Sequence, residues 1–215
     1  MLVEIFKVAS RTAPVVPSPS SQCKPGEKEI VQILTGSAGI GARDPKFIMS
    51  GAGGGQAIGL APYDGGSPEI RWAIPPAGAW IGPRNGNQYP NSPPAGTYAY
   101  RFTFFLENPE GCYLSGRWGS DNQMVTRLNG NVITNSQNAS EFRSLRSFSV
   151  SDSSLFRAGI NELRFEVNNE GSAIYRDKSP TGLYVNASVC QPERQEPEAI
   201  PTEPEVVTSS CETGT

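Results

Sequence analysis

Residues 159–169, Gly-Ile-Asn-Glu-Leu-Arg-Phe-Glu-Val-Asn-Asn, alternate strictly in polarity. Leu163, Phe165 and Val167 fall on one face, and Arg164, Glu166 and Asn168 on the other. A period of two places successive side chains on opposite sides of an extended chain, so this is a strand with one face buried. Upstream, Leu128-Asn129-Gly130 reads as a strand ending in a tight turn, with Phe142, Leu145 and Phe148 marking a further strand and a connector. A half-buried antiparallel strand needs a second layer to cover its apolar face.

The rest of the chain agrees with that reading. Gly 23 and Pro 19 in 215 residues oppose long helices and supply turns. Strands are expected at Glu29–Thr35, Ile70–Ile74, Thr97–Leu106, Cys112–Trp118, Gln123–Leu128, Leu145–Val150, Asn161–Val167 and Gly182–Val189. Asp152–Phe156 has room for one helical turn capped by Ser151 or Asp152. Eight short strands separated by Gly, Pro and Asn predict an all-β, antiparallel sandwich of jelly-roll type. It is expected over residues 27–190, between an extended N-terminal arm (1–26) and an acidic, proline-rich C-terminal arm (191–215).

A formal net charge of −3 without a basic cluster argues against nucleic acid as a partner. No apolar run approaches the roughly 20 residues of a membrane span. Met1–Val8 has no basic start and is interrupted by Glu4 and Lys7, so it does not read as a signal peptide. The four cysteines form no close pair, which argues against a zinc site. Sandwich termini often lie close together, so Cys23 and Cys190 can meet as a disulfide, with free thiols as the alternative. Asn138-Ala139-Ser140 and Asn186-Ala187-Ser188 match the glycosylation pattern, as chance matches do in an Asn- and Ser-rich chain.

An ordered set of phrases resembles a domain of bacterial surface-sorted exported proteins, cyanobacterial ones among them. Asp44-Pro45-Lys46-Phe47 resembles its opening strand, and Trp72 and Trp80-Ile81-Gly82-Pro83 its two tryptophan positions. Pro94-Ala95-Gly96-Thr97-Tyr98-Ala99-Tyr100 resembles its "P-x-G-x-Y-x-Y" strand. Leu114–Trp118, Asp121-Asn122, Leu128-Asn129-Gly130 and Ser179–Leu183 complete the order. The similarity implies a galactose-binding-like β-sandwich over roughly residues 30–190 and carries no settled activity.

With no histidine, Ser-His-Asp, Cys-His and His-based metal sites are excluded. Gly51–Gly55 lacks the Lys-Ser/Thr of a phosphate loop. The acidic residues stand in no recognisable catalytic context, so neither an enzyme nor a cofactor is expected. Sugar binding needs exposed aromatic faces with amides and carboxylates nearby, for which Trp80, Tyr89, Trp118, Asn85, Asn87, Asp121 and Asn122 are the candidates. Asp121-Asn122 reads as a turn before a calcium site, and Asp44-Pro45 as a turn that sends Phe47 into the core.

Two functional expectations follow. In the first, Leu2, Ile5, Phe6 and Val8 pair with a neighbouring subunit and the C-terminal arm wraps over another. That makes a non-catalytic assembly protein, such as a capsid decoration protein on a phage virion surface. In the second, the chain is a secreted carbohydrate-binding or adhesive module, and its partner is a surface glycan.

Overall fold

The structure is a computed structural model that describes residues 22–52, 56–65, 70–83, 92–171 and 179–193. Eleven strands are present among the described residues: β1 (Glu27–Leu34), β2 (Ile48–Gly51), β3 (Ile58–Leu60), β4 (Trp80–Gly82), β5 (Gly96–Leu106), β6 (Tyr113–Asp121), β7 (Gln123–Leu128), β8 (Asn131–Ser136), β9 (Arg146–Val150), β10 (Gly159–Asn169) and β11 (Gly182–Pro192). They form two sheets of antiparallel strands. One runs β3-β4-β11-β6-β9, with β1 also paired to β11, and the other β2-β5-β10-β7-β8. The fold is an all-β jelly-roll sandwich. No helix among the described residues is long and apolar enough to cross a membrane.

The alternation in β10 decides how the layers meet. Leu163, Phe165 and Val167 point inward, and β5 contributes Tyr98, Tyr100, Phe102, Phe104 and Leu106 from the same face. Against them the other sheet packs Leu114 and Trp118 from β6 and Leu183, Val185, Ala187 and Val189 from β11. Outward, Arg101, Arg164 and Arg127 stand opposite one another across three strands. Glu162 and Glu166 offset that like-charge row, with Arg164 to Glu166 at 3.0 Å and Arg127 to Glu166 at 3.3 Å.

The Asn-Gly turn joins β7 to β8, with both Asn129 and Gly130 at positive φ (50° and 89°). Such a two-residue turn matches the twist of the flanking strands. Asn129 also caps the neighbouring loop. Its amide donates to Leu155 O and Asn161 Oδ1, and its oxygen accepts from Glu162 N. Asn161 in turn ties Arg157 and Gly159 to the start of β10, which explains an asparagine at that point of the motif. Asp44 acts as the turn its sequence indicates: its carboxylate accepts from Gly36, Lys46 and Phe47 backbone N–H groups, and Phe47 is buried.

Three differences from the sequence reading have clear causes. Ile70–Ile74 is not a strand. The backbone of Trp72 donates to Tyr63 O and that of Ala73 to Phe142 O, so this segment is bound by loops while Ile70 and Ile74 stay exposed. Strands β2, β3 and β4 are three or four residues long, too short for periodicity to reveal, and the six-residue β8 is polar apart from the adjacent Val132 and Ile133, so it shows no alternation. The ordered sandwich also reaches beyond residues 27–190. Glu27 pairs with Pro192, and Cys23 is disulfide-bonded to Cys190 with their Cα atoms 5.6 Å apart. Cys112 is a buried free thiol, and burial raises its pKa. Leu2, Ile5, Phe6 and Val8, like most of both arms, lie outside the described residues.

Candidate functional site

Strand β11 is buried along both faces. One face meets the main core. The other carries Tyr184, which packs with Leu60, Trp72, Trp80 and Phe142 in a second, smaller core. The segment between β3 and β4 and the loop between β8 and β9 build this layer over the outer face of the sheet. Trp72 and Trp80 lie with ring centroids 4.6 Å apart, and Tyr63 meets Trp72 edge-on at 6.3 Å. Two glycines make room for the tryptophans. A Cβ on Gly182 would stand 2.7 Å from the Trp72 ring, and one on Gly119 2.8 Å from the Trp80 ring. Each indole N–H is satisfied: Trp80 Nε1 donates to Ala73 O at 2.9 Å, and Trp72 Nε1 to Asp121 Oδ2 at 2.8 Å.

That last bond marks the chemistry. Asp121 ends β6, and Asn122 alone carries the chain across to β7 in the other sheet, through a cis Asp121–Asn122 peptide. The corner is held on every side. Asn122 N donates to Asn168 O, its side-chain amide to Ala139 O, and its side-chain oxygen accepts from Glu170 N. Thr181 Oγ1 donates to Asp121 O. The Ser179 hydroxyl donates to Asn169 Oδ1, and the Asn169 amide donates to Pro93, Pro94 and Ser179 carbonyls. This network fixes the ends of β6, β10 and β11 against one another.

Beside the corner opens a cleft of about 200 Å³. The loop layer contributes Tyr63, Ile70 and Phe142, and the strand ends contribute Asp121, Asn122, Gly171, Ser179 and Pro180. Asp121 is 6% exposed, and its carboxyl has Trp72 as its hydrogen-bond donor among the described residues. Burial pushes its pKa up to about 8, the indole bond lowers it in part, and the negative charge of Glu170 raises it. Among the described residues no three His, Cys, Asp or Glu side chains converge to hold a metal ion.

The structure brings two of the sequence candidates, Asp121 and Asn122, into this cleft. It corrects two others. Trp80 is fully buried and Trp118 is 4% exposed in the main core between the sheets, so neither presents a ring face to solvent. Large rings are the most efficient fill for a sandwich interior, and Trp118 faces inward because it shares the parity of Leu114 on β6. Asn85, Asn87 and Tyr89 lie outside the described residues. Tyr63, Ile70, Phe142 and Ser179 were not foreseen, because they come from irregular segments far apart in sequence. The one local signal was Ser179-Pro180-Thr181-Gly182, part of the family-like phrase that enters β11.

No protein-family model matches the sequence, and no curated protein matches it. Among solved structures, a family 35 carbohydrate binding module from Clostridium thermocellum is similar at 11% identity, covering 73% of this chain and 97% of the other, with a TM-score of 0.37. A family 35 module from an environmental isolate is similar at 10% identity, covering 72% and 98%, with a TM-score of 0.36. A Podospora anserina GH26-CBM35 beta-(1,4)-mannanase is similar at 13% identity, covering 72% of this chain and 29% of the other, with a TM-score of 0.29. The fold assignment stands on strand order and register, not on these likenesses.

Proposed function

We propose that this chain is a non-catalytic carbohydrate-binding module that receives a sugar in the cleft beside Asp121. The observation that carries the reading is the composition of that cleft. Aromatic and aliphatic side chains (Tyr63, Ile70, Phe142) line it together with a buried carboxyl, an amide and a hydroxyl (Asp121, Asn122, Ser179). A sugar ring offers one apolar face of C–H groups and an equator of hydroxyls, and such a lining matches both. At about 200 Å³ the cleft is smaller than the ~300–1,000 Å³ usual for drug-sized ligands, which favours one ring or a chain end over a long chain. The Cys23–Cys190 bridge fits an oxidising, extracellular setting. The assembly reading rested on arms that lie almost wholly outside the described residues, and no observation here favours it.

The test is a glycan array followed by calorimetry on the full chain. Tyr63→Ala should weaken the best glycan about tenfold, from the roughly 1.5 kcal/mol of an aromatic contact. Phe105→Ser, on the outer face of the other sheet and 61% exposed, should leave affinity unchanged. A glycan that binds equally well to the Tyr63 variant would place its site elsewhere and defeat the reading.

A further inference from the structure

We propose that Asn129-Gly130 is a self-modifying site, held inert by the fold and converted to aspartate and isoaspartate when the β7–β8 corner opens. The chemistry needs only these two residues and water. The Gly130 nitrogen gives up its proton to solvent and attacks Asn129 Cγ, closing a succinimide ring. The side-chain nitrogen takes a proton back and leaves as ammonia. Water then opens the ring at either carbonyl, so an amide and water become an acid and ammonia. Glycine in the second position favours closure, because no side chain obstructs the attack. At Gly130 the space a Cβ would fill is open, and the residue is exposed to water.

The fold opposes this reaction by occupying the carboxamide. Asn129 Nδ2 donates to Leu155 O at 2.9 Å and to Asn161 Oδ1 at 2.7 Å, while its oxygen accepts from Glu162 N at 3.0 Å. Bringing Cγ onto the Gly130 nitrogen turns the group out of these bonds. The Asn129 backbone N–H, donating to Glu162 O at 2.9 Å, holds the turn itself against β10. Once the reaction has run, the corner cannot close as before. An aspartate carboxylate at this position offers only acceptors to Leu155 O and Asn161 Oδ1. Asn161 cannot turn its amide round to meet it. Fully buried, it donates to Arg157 O at 2.8 Å and Gly159 O at 3.1 Å, and its oxygen accepts from Arg157 N at 3.0 Å. Isoaspartate instead adds a methylene to the backbone of a two-residue turn whose positive φ angles, 50° and 89°, set the hairpin. Each opening that reacts therefore leaves the start of β10 without its cap, and buried acceptors without a donor.

The experiment is peptide mapping by mass spectrometry on the full chain, incubated at mildly alkaline pH in buffer and in denaturing urea. The expected result is ready deamidation of Asn129 in urea and a rate at least about tenfold lower in the folded chain, set by local opening. Asn161→Ala, which removes one acceptor of the Asn129 amide, should speed the folded-state reaction several-fold and leave the urea rate unchanged. Should that variant fail to fold, hydrogen exchange at the Glu162 amide of the native chain reads the same opening. Urea below the unfolding transition should then accelerate exchange and deamidation in step. Asn129→Asp, the product with a normal backbone, should melt at a lower temperature than the native chain. The gap should narrow at low pH, where the protonated carboxyl can donate one bond again. Equal rates in buffer and in urea overturn the protection, and absence of product in urea overturns the site. A folded-state rate unaltered by Asn161→Ala, or deamidation that does not follow Glu162 exchange, overturns the role of the cap. An Asn129→Asp variant as stable as the native chain overturns the lasting damage.

Discussion

Asp121 carries an unusual burden for a single side chain. It accepts the Trp72 indole bond that fixes the second core, yet sits 6% exposed where ionisation is disfavoured. Its pKa is about 8 in the folded protein against 3.8 without the fold, so the folded state holds a proton that the unfolded chain gives up. Stability from this group is therefore complete below about pH 4 and is lost as pH rises towards about 8. The limiting slope is about 1.4 kcal/mol per pH unit. Urea midpoints between pH 4.5 and 8.5 should fall more steeply for the native protein than for Asp121→Asn. Parallel curves would mean that the carboxyl is ionised and paired in the fold. Asp121-Asn122 was visible in the sequence as a polar pair, but its burial was not. A dipeptide that favours a surface turn becomes a sheet-to-sheet corner only when β6 and β7 are assigned to different layers.

At the scale of the element, β11 explains why the chain spends glycines where it does. A central strand covered on both faces cannot show simple alternation, and its run of buried residues from Gly182 to Cys190 reflects that. Gly182 is there because the Trp72 ring occupies the space of a side chain, with a Cβ also 3.2 Å from Ile81 O. Gly182→Ala should cost about 1–3 kcal/mol through overpacking, read as a lower thermal midpoint. It should also weaken ligand binding, because displacing Trp72 removes the donor that orients Asp121. Loss of stability with affinity intact would separate the two cores from the cleft. The β7–β8 hairpin is the opposite case. Its Asn-Gly turn was legible from two letters, because only residues tolerant of positive φ serve there. The irregular loops that wall the cleft leave no such local signature.

For the whole molecule, the Cys23–Cys190 bridge closes a span of 167 residues around nearly the entire sandwich. Linking residues this far apart restricts the unfolded chain strongly, and removing the bridge should cost about 2–5 kcal/mol. Residues 22–193 are expected to fold with the stability of the full chain. Residues 27–190, which lose Cys23 and the Glu27–Pro192 pairing, should melt like the Cys23→Ser/Cys190→Ser double variant. Equal melting of both fragments under oxidising conditions would show that the bridge adds nothing. The sequence by itself determined the fold class, the long strands and the hairpin, since these follow from period-two burial, from the bounded apolar run of β11 and from residues that tolerate one backbone conformation. Only the tertiary structure decided that Trp80 and Trp118 are core, that Cys23 meets Cys190, and that Tyr63, Phe142 and Asp121 share a cleft. Those outcomes depend on which layer each segment joins, and contacts between residues far apart in the chain leave no pattern within it.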